Sequence, residues 1–288
     1  MKKKRIFLPA VGVFTACMAL AGCGSTQTVT LEEMQQATQT DQLLKTYTSV
    51  QTTTVFGEDN FTFTQYADKD LLFVSAVDQS DLYLDGVQYY VADEDIFSKT
   101  MFILQEPLTY YAADNLVFEA DPEETIKSCE KKDGKLYVST ELTAKRSEEL
   151  VTNEGYTYND GEYLTSIYIL DAKTKEIQSF SEVLNAADGT TRPYVEVTAE
   201  YGTERPAMAQ ELYEHSTTKE NLRTVTIITD PDTDTEQSNT VQLPKGDRVL
   251  AYFPDGYDTL FTDRDCTEEA TDIDYNADET VLYMAKGK

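Results

Sequence analysis

Residues 82–91 read LYLDGVQYYV, and this stretch carries the clearest indication of the fold. Two runs of strand-favouring residues, 82–84 and 87–91, flank the dipeptide Asp85-Gly86. A two-residue loop of this composition suits a tight hairpin turn, because Asp and Gly tolerate the positive φ that such a turn requires. The stretch therefore predicts an antiparallel β-hairpin.

Strand-like alternation extends on both sides of this hairpin. Before it, Phe61, Phe63 and Tyr66 mark one strand, and a turn at 68–70 leads into another strand at 72–74. After it, runs rich in β-branched and aromatic residues predict four further strands, at 135–142, 163–170, 176–184 and 194–201.

A helix is predicted ahead of the strands, over 31–47, from a rough apolar stripe at helical spacing. Thr30 and Glu33 have the spacing of a capping box, in which the threonine caps the helix and the glutamate reaches back. Residues 94–118 are mixed in character and are predicted to be helical in part. A helix followed by a long antiparallel meander is typical of the α+β class, which we predict here.

The composition changes after the last of these strands. Residues 204–221 contain Pro206 and a short helical patch at 207–215, and we interpret them as a linker. A strand-like run then begins a second and smaller β unit. We predict a first domain over 31–203 and a small β-rich module over 222–288.

The N-terminus has the pattern of an exported protein. Four basic residues precede an uncharged, mostly apolar run at 6–22, as in a secretory signal peptide, here 1–22. The run is marginal for a membrane span, which needs about 20 apolar residues. An ordinary signal peptide followed by an incidental cysteine is the alternative to the interpretation given next.

The sequence LAGC at 20–23 resembles the lipobox of bacterial lipoprotein precursors. The resemblance implies that the Cys23 thiol receives a diacylglycerol and becomes the first mature residue, with 23–30 as a lipidated tether. A second cysteine, Cys17, follows a phenylalanine-containing motif that fits the lipobox less well. The predicted location is the extracytoplasmic face of the cell membrane, with the lipid on Cys23 as the anchor.

The net charge of −28 bounds the partners of the protein. Residues 1–22 carry four basic and no acidic side chains, so the remaining 266 residues carry 20 basic against 52 acidic, a net charge of −32. Such a surface repels nucleic acid and anionic lipid headgroups, which are bound by basic patches. No nucleic-acid partner is predicted.

Residues 31–201 resemble the LolA/LppX-like half-barrel family of lipoprotein carriers. The resemblance lies in the opening helix, the successive strands, the stretch YLDGVQYY at 83–90 and the strand–turn–strand pattern at 164–180. It implies an antiparallel half-barrel sheet with helices that enclose an apolar cavity for acyl chains, and no catalytic residues. The candidates for the cavity lining are Phe61, Phe63, Leu72, Val74, Leu82, Leu84, Tyr89 and Val91.

The C-terminal part is similar to the Listeria–Bacteroides (internalin B-type) repeat. The similarity covers GYDTLFTDRDCT at 256–267 and TVLYMAK at 280–286, and it implies a small β-grasp-like module of bacterial surface proteins. The sequence departs from the repeat at the end, where Gly287 replaces a tryptophan. Cys266 falls where the family often has a lone cysteine, which favours a thiol over a disulfide with Cys129.

Chemistry-bearing motifs are scarce. His215 is the one histidine and is interpreted as a solvated linker residue. The sequence DPDTD at 230–234 resembles the start of a calcium loop, but Thr235 replaces the turn glycine and Val241 replaces the bidentate glutamate. A solvated hairpin tip explains these acids more simply. We therefore predict no catalytic residue, no metal site and no cofactor.

Three functions remain open at this point. The first is a non-enzymatic, membrane-anchored lipoprotein that binds or carries an apolar ligand such as a lipid or acyl chain. The second is a cell-surface scaffold that docks to another surface protein. The third is a hydrolase, which would need two convergent carboxylates roughly 5–10 Å apart in a cleft.

Overall fold

The computed structural model describes residues 29–37, 39–57, 61–76, 79–92, 95–101, 120–153, 155–253 and 255–287. The signal peptide, the lipobox with Cys23, and the larger part of the predicted mixed segment lie outside these residues.

Two β-sheets and a few short helices make up the described chain. The helices are α1 (Leu31–Gln36), α2 (Thr40–Thr46), α3 (Ala144–Asn153) and α4 (Ala207–Thr217). The first six strands are β1 (Ser49–Phe56), β2 (Phe61–Asp68), β3 (Leu72–Ser75), β4 (Ser80–Leu84), β5 (Val87–Ala92) and β6 (Asp95–Met101). The next five are β7 (Thr125–Lys132), β8 (Lys135–Glu141), β9 (Tyr163–Asp171), β10 (Ile177–Asn185) and β11 (Thr191–Tyr201). The last four are β12 (Leu222–Thr229), β13 (Gln237–Pro244), β14 (Val249–Tyr252) and β15 (Glu279–Met284).

The large sheet has the order β14-β6-β5-β4-β3-β2-β1-β11-β10-β9-β8-β7 and is antiparallel except at its first pair. The β4–β5 hairpin at its predicted turn is confirmed, since Asp85 and Gly86 adopt φ of 49° and 79°. The strands predicted at 135–201 are confirmed as β8 to β11. The fold is therefore the predicted α+β class, with an antiparallel half-barrel sheet followed by a smaller β unit.

The small sheet has the order β13-β12-β15, with β12 and β15 parallel. One strand of the C-terminal region leaves this unit, because β14 pairs with β6 at the edge of the large sheet. The predicted module thus contributes to both sheets.

Each face of the large sheet buries a separate apolar cluster. On the inner face, side chains such as Leu72, Tyr168 and Phe180 pack with Met34 of α1 and Val151 of α3. On the outer face of strands β2 to β5, the packing partners are α4 and the small sheet. The outer cluster includes Phe73, Leu82 and Tyr89 of the large sheet, Leu212 of α4, and Val225 and Leu282 of the small sheet.

Two local predictions differ from the structure, and a third is confirmed. The single helix predicted at 31–47 is wrong, because Ala37 ends α1 and a new helix starts at Thr40. Gln39 before α2 has an extended backbone, with φ of −65° and ψ of 113°, which a continuous helix does not contain. The capping box of Thr30 and Glu33 is confirmed, with the Glu33 amide donating to Thr30 Oγ1 at 3.1 Å. Residues 95–101 of the mixed segment form strand β6 instead of helix.

Candidate functional site

The eight predicted cavity residues do not share one face of the sheet. In the β3–β4 pairing, Leu72 lies opposite Tyr83, and Phe73 lies opposite Leu82. Because successive strand residues point to opposite faces, Leu72 and Val74 belong to the inner cluster. The outer cluster takes the candidates of the hairpin, which are Leu82, Leu84, Tyr89 and Val91. The prediction that these residues form one inward set is wrong.

Two candidates remain on strand β2. Phe63 is half-buried and lies opposite Thr54 in the register of β1, on the inner face. Phe61 lies opposite Phe56 in the same register. The hairpin candidates Leu82, Leu84 and Tyr89 are less than 7% exposed and form part of a filled core.

A group of aromatic rings lies at one end of the inner face. Phe56 stacks on Phe63 with ring centroids 5.7 Å apart, and on Tyr156 with centroids 5.9 Å apart. Tyr156 meets Tyr194 edge to face at 5.5 Å. Phe56, Phe63 and Tyr156 are each partly exposed. We call these four residues the aromatic group, and it offers an apolar surface that an external molecule can reach.

A row of polar side chains crosses the inner face on three neighbouring strands. Thr140 of β8 lies opposite Ser166 of β9, which lies opposite Glu182 of β10. All three side chains are at most 4% exposed. Ser166 Oγ donates a hydrogen bond to Glu182 Oε1 at 3.0 Å. Burying a polar side chain in an apolar face costs free energy unless the side chain is hydrogen-bonded.

The same row leads to the aromatic group. Glu182 lies opposite Val195 of β11, and Val195 lies opposite Phe56 of β1. Five adjacent strands therefore link Thr140 to Phe56. With about 4.8 Å between strands, the distance along the row is roughly 19 Å.

Glu124 and Tyr168 complete the polar part of the inner face. Glu124 precedes β7 and is 5% exposed, and Tyr168 of β9 is fully buried. The Tyr168 hydroxyl donates to Glu124 Oε1 at 2.7 Å. We call Glu124, Thr140, Ser166, Tyr168 and Glu182 the polar cluster.

Two atoms of the polar cluster have no partner beyond the contact between the Thr140 hydroxyl and the Glu124 carboxylate. They are Glu124 Oε2 and Thr140 Oγ1, and both are inaccessible to solvent. A buried polar group without a partner costs about 1–3 kcal/mol. The contact between the Thr140 hydroxyl and the Glu124 carboxylate therefore offsets part of this cost.

The electrostatics of the polar cluster follow from its burial. Desolvation raises the pKa of Glu124, and the hydroxyls of Thr140 and Tyr168 oppose this shift only in part. Desolvation also raises the pKa of Tyr168, with further contributions from the negative charges of Glu124 and Glu182. The negative charges of Glu124 and Glu182 therefore both favour the protonated form of the Tyr168 hydroxyl.

Asp230 and Asp232 of the sequence that resembles the start of a calcium loop, and the nearby Glu236, already accept hydrogen bonds from protein donors. Asp232 accepts from Arg264 Nε at 2.9 Å, and Glu236 accepts from the same guanidinium at 2.6 Å. Asp230 accepts from the hydroxyl of Tyr257 at 2.6 Å. A cleft of about 340 Å³ lies beside this turn, but Arg264 lines it and supplies its own positive charge. This arrangement is that of a structural turn.

His215 is not a solvated linker residue, and that interpretation is wrong. It lies in α4, where Ala209, Leu212 and Ser216 are buried against the rest of the protein. The imidazole Nε2 is 2.9 Å from Asp247 Oδ2. This hydrogen bond raises the pKa of His215 above its usual 6.5, against an opposing effect of desolvation.

Within the described ranges, no three His, Cys, Asp or Glu side chains converge as a metal site would require. Cys129 and Cys266 are both thiols, as predicted. The helices of the described part are too short and too polar to cross a membrane.

Sequence reasoning missed the polar cluster, although a signal for it exists. In strands β8, β9 and β10 the buried phase of the alternation is otherwise apolar. Thr140, Ser166 and Glu182 interrupt that phase at matching positions. Glu124 carries no such signal, because it stands outside any strand.

No protein-family model matches the chain, and no curated protein matches it. Among solved structures, it is similar to LprF from Mycobacterium bovis, at 13% identity and a TM-score of 0.32. That match covers 62% of this chain and 96% of LprF. It is also similar to the lipoprotein LppX from Mycobacterium tuberculosis, at 11% identity and a TM-score of 0.34, over 61% of this chain and 96% of LppX. Likenesses this distant leave the ligand of this chain to be argued from its own residues.

Proposed function

We propose that this protein is a lipid-anchored extracytoplasmic lipoprotein that binds an apolar or amphiphilic ligand on the inner face of its half-barrel. The anchor is the diacylglycerol on Cys23, and the role is non-enzymatic. The lipobox-like sequence at 20–23 supports the anchor.

One observation carries the ligand-binding part of the proposal. The inner face joins a solvent-accessible aromatic group to a buried polar cluster within one continuous row of strands. An apolar surface with a few convergent polar groups is the usual composition of a small-molecule site. The aromatic group would receive the apolar part of the ligand, and the polar cluster its head.

The anchor and the ligand can be tested on the same preparation. Native protein is extracted gently from membranes and analysed by mass spectrometry, both intact and for bound small molecules. We expect a lipidated N-terminal Cys23 and a copurified amphiphile. Cys23→Ser should release the protein from the membrane fraction. An unlipidated protein that fractionates with membranes as well as wild type would contradict the anchor.

Substitution of the aromatic group tests where the ligand binds. Phe63→Ala should lower the amount of copurified amphiphile several-fold, because it removes a ring that stacks on Phe56. Met208→Ala is the matched control, since Met208 is 41% exposed on α4 and distant from the inner face. Equal ligand content in both variants would argue against binding at the aromatic group.

A further inference from the structure

We propose that strand β13 pairs with the same strand of a second copy of this chain, so that two small sheets join into one across a two-fold axis. This surface is separate from the inner face on which the ligand is proposed to bind. The proposal starts from the position of β13 (Gln237–Pro244) at the end of the small sheet, where one side of its backbone has no neighbouring strand among the described residues.

The edge formed by β13 lacks the features that keep exposed strands from pairing. Natural sheets protect their edges with charged side chains, proline, bulges or a covering segment. Residues 237–243 read QSNTVQL, without a charge or a proline, in a protein in which 26% of the residues are charged. Their pairing with β12 contains no register shift, and five of these seven residues, 237–240 and 242, are exposed. The edge is therefore open to a further strand.

The other sheet edges of the described chain are protected. Strand β7 carries three lysines and a glutamate, and β14 is only four residues long. Beside β15, the Phe261 amide donates to the Tyr283 carbonyl at 2.8 Å, and the Tyr283 amide donates back at 2.9 Å. Among the described strands, β13 therefore provides the long, uncharged edge that pairing with another chain requires.

Charge favours a second copy as the partner. Each copy has a net charge of −28, so two copies repel each other over most of their surfaces. At the ends of β13 the flanking charges are neutralised within the chain, since Glu236 accepts from Arg264 at 2.6 Å and Lys245 pairs with Asp278. Two copies can therefore meet along β13 without placing like charges opposite each other. An antiparallel strand paired with its own copy also satisfies the two-fold symmetry of a closed dimer.

The size of the edge sets the strength of the pairing. The eight residues of β13 span about 26 Å at about 3.3 Å per residue. One strand edge buries less than the roughly 800 Å² per partner of a stable interface, so the dimer is expected to be weak in solution. Confinement of lipid-anchored copies to one membrane would raise their effective concentration. The pairing itself does not require the anchor.

Sedimentation and hydrogen exchange test the pairing in solution. The sample is the mature chain, 23–288, with Cys23→Ser so that no lipid is attached, at about 0.15 M salt to screen long-range repulsion. We expect a reversible monomer–dimer equilibrium with a dissociation constant of about 10–100 µM. The backbone amides of 237–243 should exchange more slowly as the protein concentration rises.

Charged substitutions on β13 locate the interface. Thr240→Glu should raise the dissociation constant about tenfold or more, because it brings two carboxylates together in the middle of the paired strands. Asn239→Glu is a second variant with the charge on the other face of the strand, and it leaves the contact between the hydroxyls of Thr240 and Thr226 in place. Ser128→Glu is the matched control, since it adds the same charge to the exposed edge strand β7 and should leave the equilibrium unchanged.

Three outcomes would overturn the pairing of β13 with its copy. The first is a wild-type chain that stays monomeric up to about 1 mM. The second is a dimer that Thr240→Glu and Asn239→Glu do not weaken, or that Ser128→Glu weakens as much. The third is protection of the 237–243 amides only when a different protein is added, which would assign the edge to that partner. Ligand binding on the inner face is independent of all three.

Discussion

At the scale of single residues, the inner face is governed by the cost of burying Glu124. Its pKa is raised above the usual 4.5 because burial disfavours the carboxylate. The folded state therefore binds a proton more tightly than the unfolded state. It follows that this residue lowers stability progressively as pH rises from 4.5 through the pKa of the folded protein.

Glu124→Gln should remove that pH dependence. The glutamine stays neutral and can still accept from Tyr168, so the variant should gain stability over wild type as pH rises from 4 to 7. The measurement is the free energy of unfolding in urea at each pH. Glu123→Gln should stay within about 0.5 kcal/mol of wild type throughout. A constant difference between Glu124→Gln and wild type from pH 4 to 7 would show that Glu124 titrates normally.

Some residues of the candidate site could be predicted from the sequence, and others could not. Phe63 follows the alternation of its strand and was found as a candidate. Ser166 and Glu182 instead interrupt the apolar alternation of β9 and β10. A polar residue at a position where the alternation predicts an apolar one indicates a buried polar site. The hydrogen bond between Tyr168 and Glu124 could not be predicted from the sequence. The two residues are 44 positions apart, and only the folded chain brings them together.

At the scale of elements, periodic segments were predictable and packing-dependent ones were not. The β4–β5 hairpin is specified locally by Asp85-Gly86, so its turn and register follow from the sequence. Strand β7 was missed because it is a mostly exposed edge strand with three lysines and a glutamate, and it has no regular apolar phase. Helix α4 was found as a helical patch, but its docking depends on long-range contacts with the outer cluster.

The docking of α4 should depend on pH through His215. Asp247 raises the pKa of His215 by accepting its hydrogen bond, and Glu211 adds to the shift. This hydrogen bond therefore stabilises the protein fully below the unfolded pKa of 6.5, and the stabilisation is lost as pH rises through the pKa of His215 in the folded protein. His215 lies in the last turn of α4, where the helix dipole also favours the charged imidazole.

His215→Gln should lower the free energy of unfolding by about 1 kcal/mol at pH 5.5, and by less at pH 8.5, because a charged hydrogen bond at a partly exposed site is lost. Urea unfolding of both proteins at the two pH values measures this. Lys219→Gln serves as the control, since it removes a cation just beyond α4. Equal losses at both pH values for His215→Gln would mean that the imidazole acts only by packing.

At the scale of the whole molecule, the two sheets are joined by shared burial. The outer cluster takes Leu82 and Tyr89 from the large sheet, Leu212 from α4 and Val225 from the small sheet. The sequence predicts a domain boundary at the polar, proline-containing segment 204–221. It does not show that the strands before this segment bury apolar side chains on both faces of the sheet. A hairpin such as 82–91 has an outer face that needs a cover, and residues beyond 221 supply it.

Removal of residues 222–288 should therefore destabilise the large sheet as well. It would uncover Leu82, Leu84 and Tyr89, whose burial contributes about 1.5–3 kcal/mol each, and it would remove β14 from the sheet edge. Because whole domains have only about 5–15 kcal/mol of stability, the shortened chain should bind a hydrophobic dye strongly and lose its cooperative thermal transition. The measurements are dye fluorescence and circular dichroism against the full chain. A sharp transition with unchanged dye binding would mean that the large sheet folds without its outer cover, and that the C-terminal strands serve another purpose than completing its core.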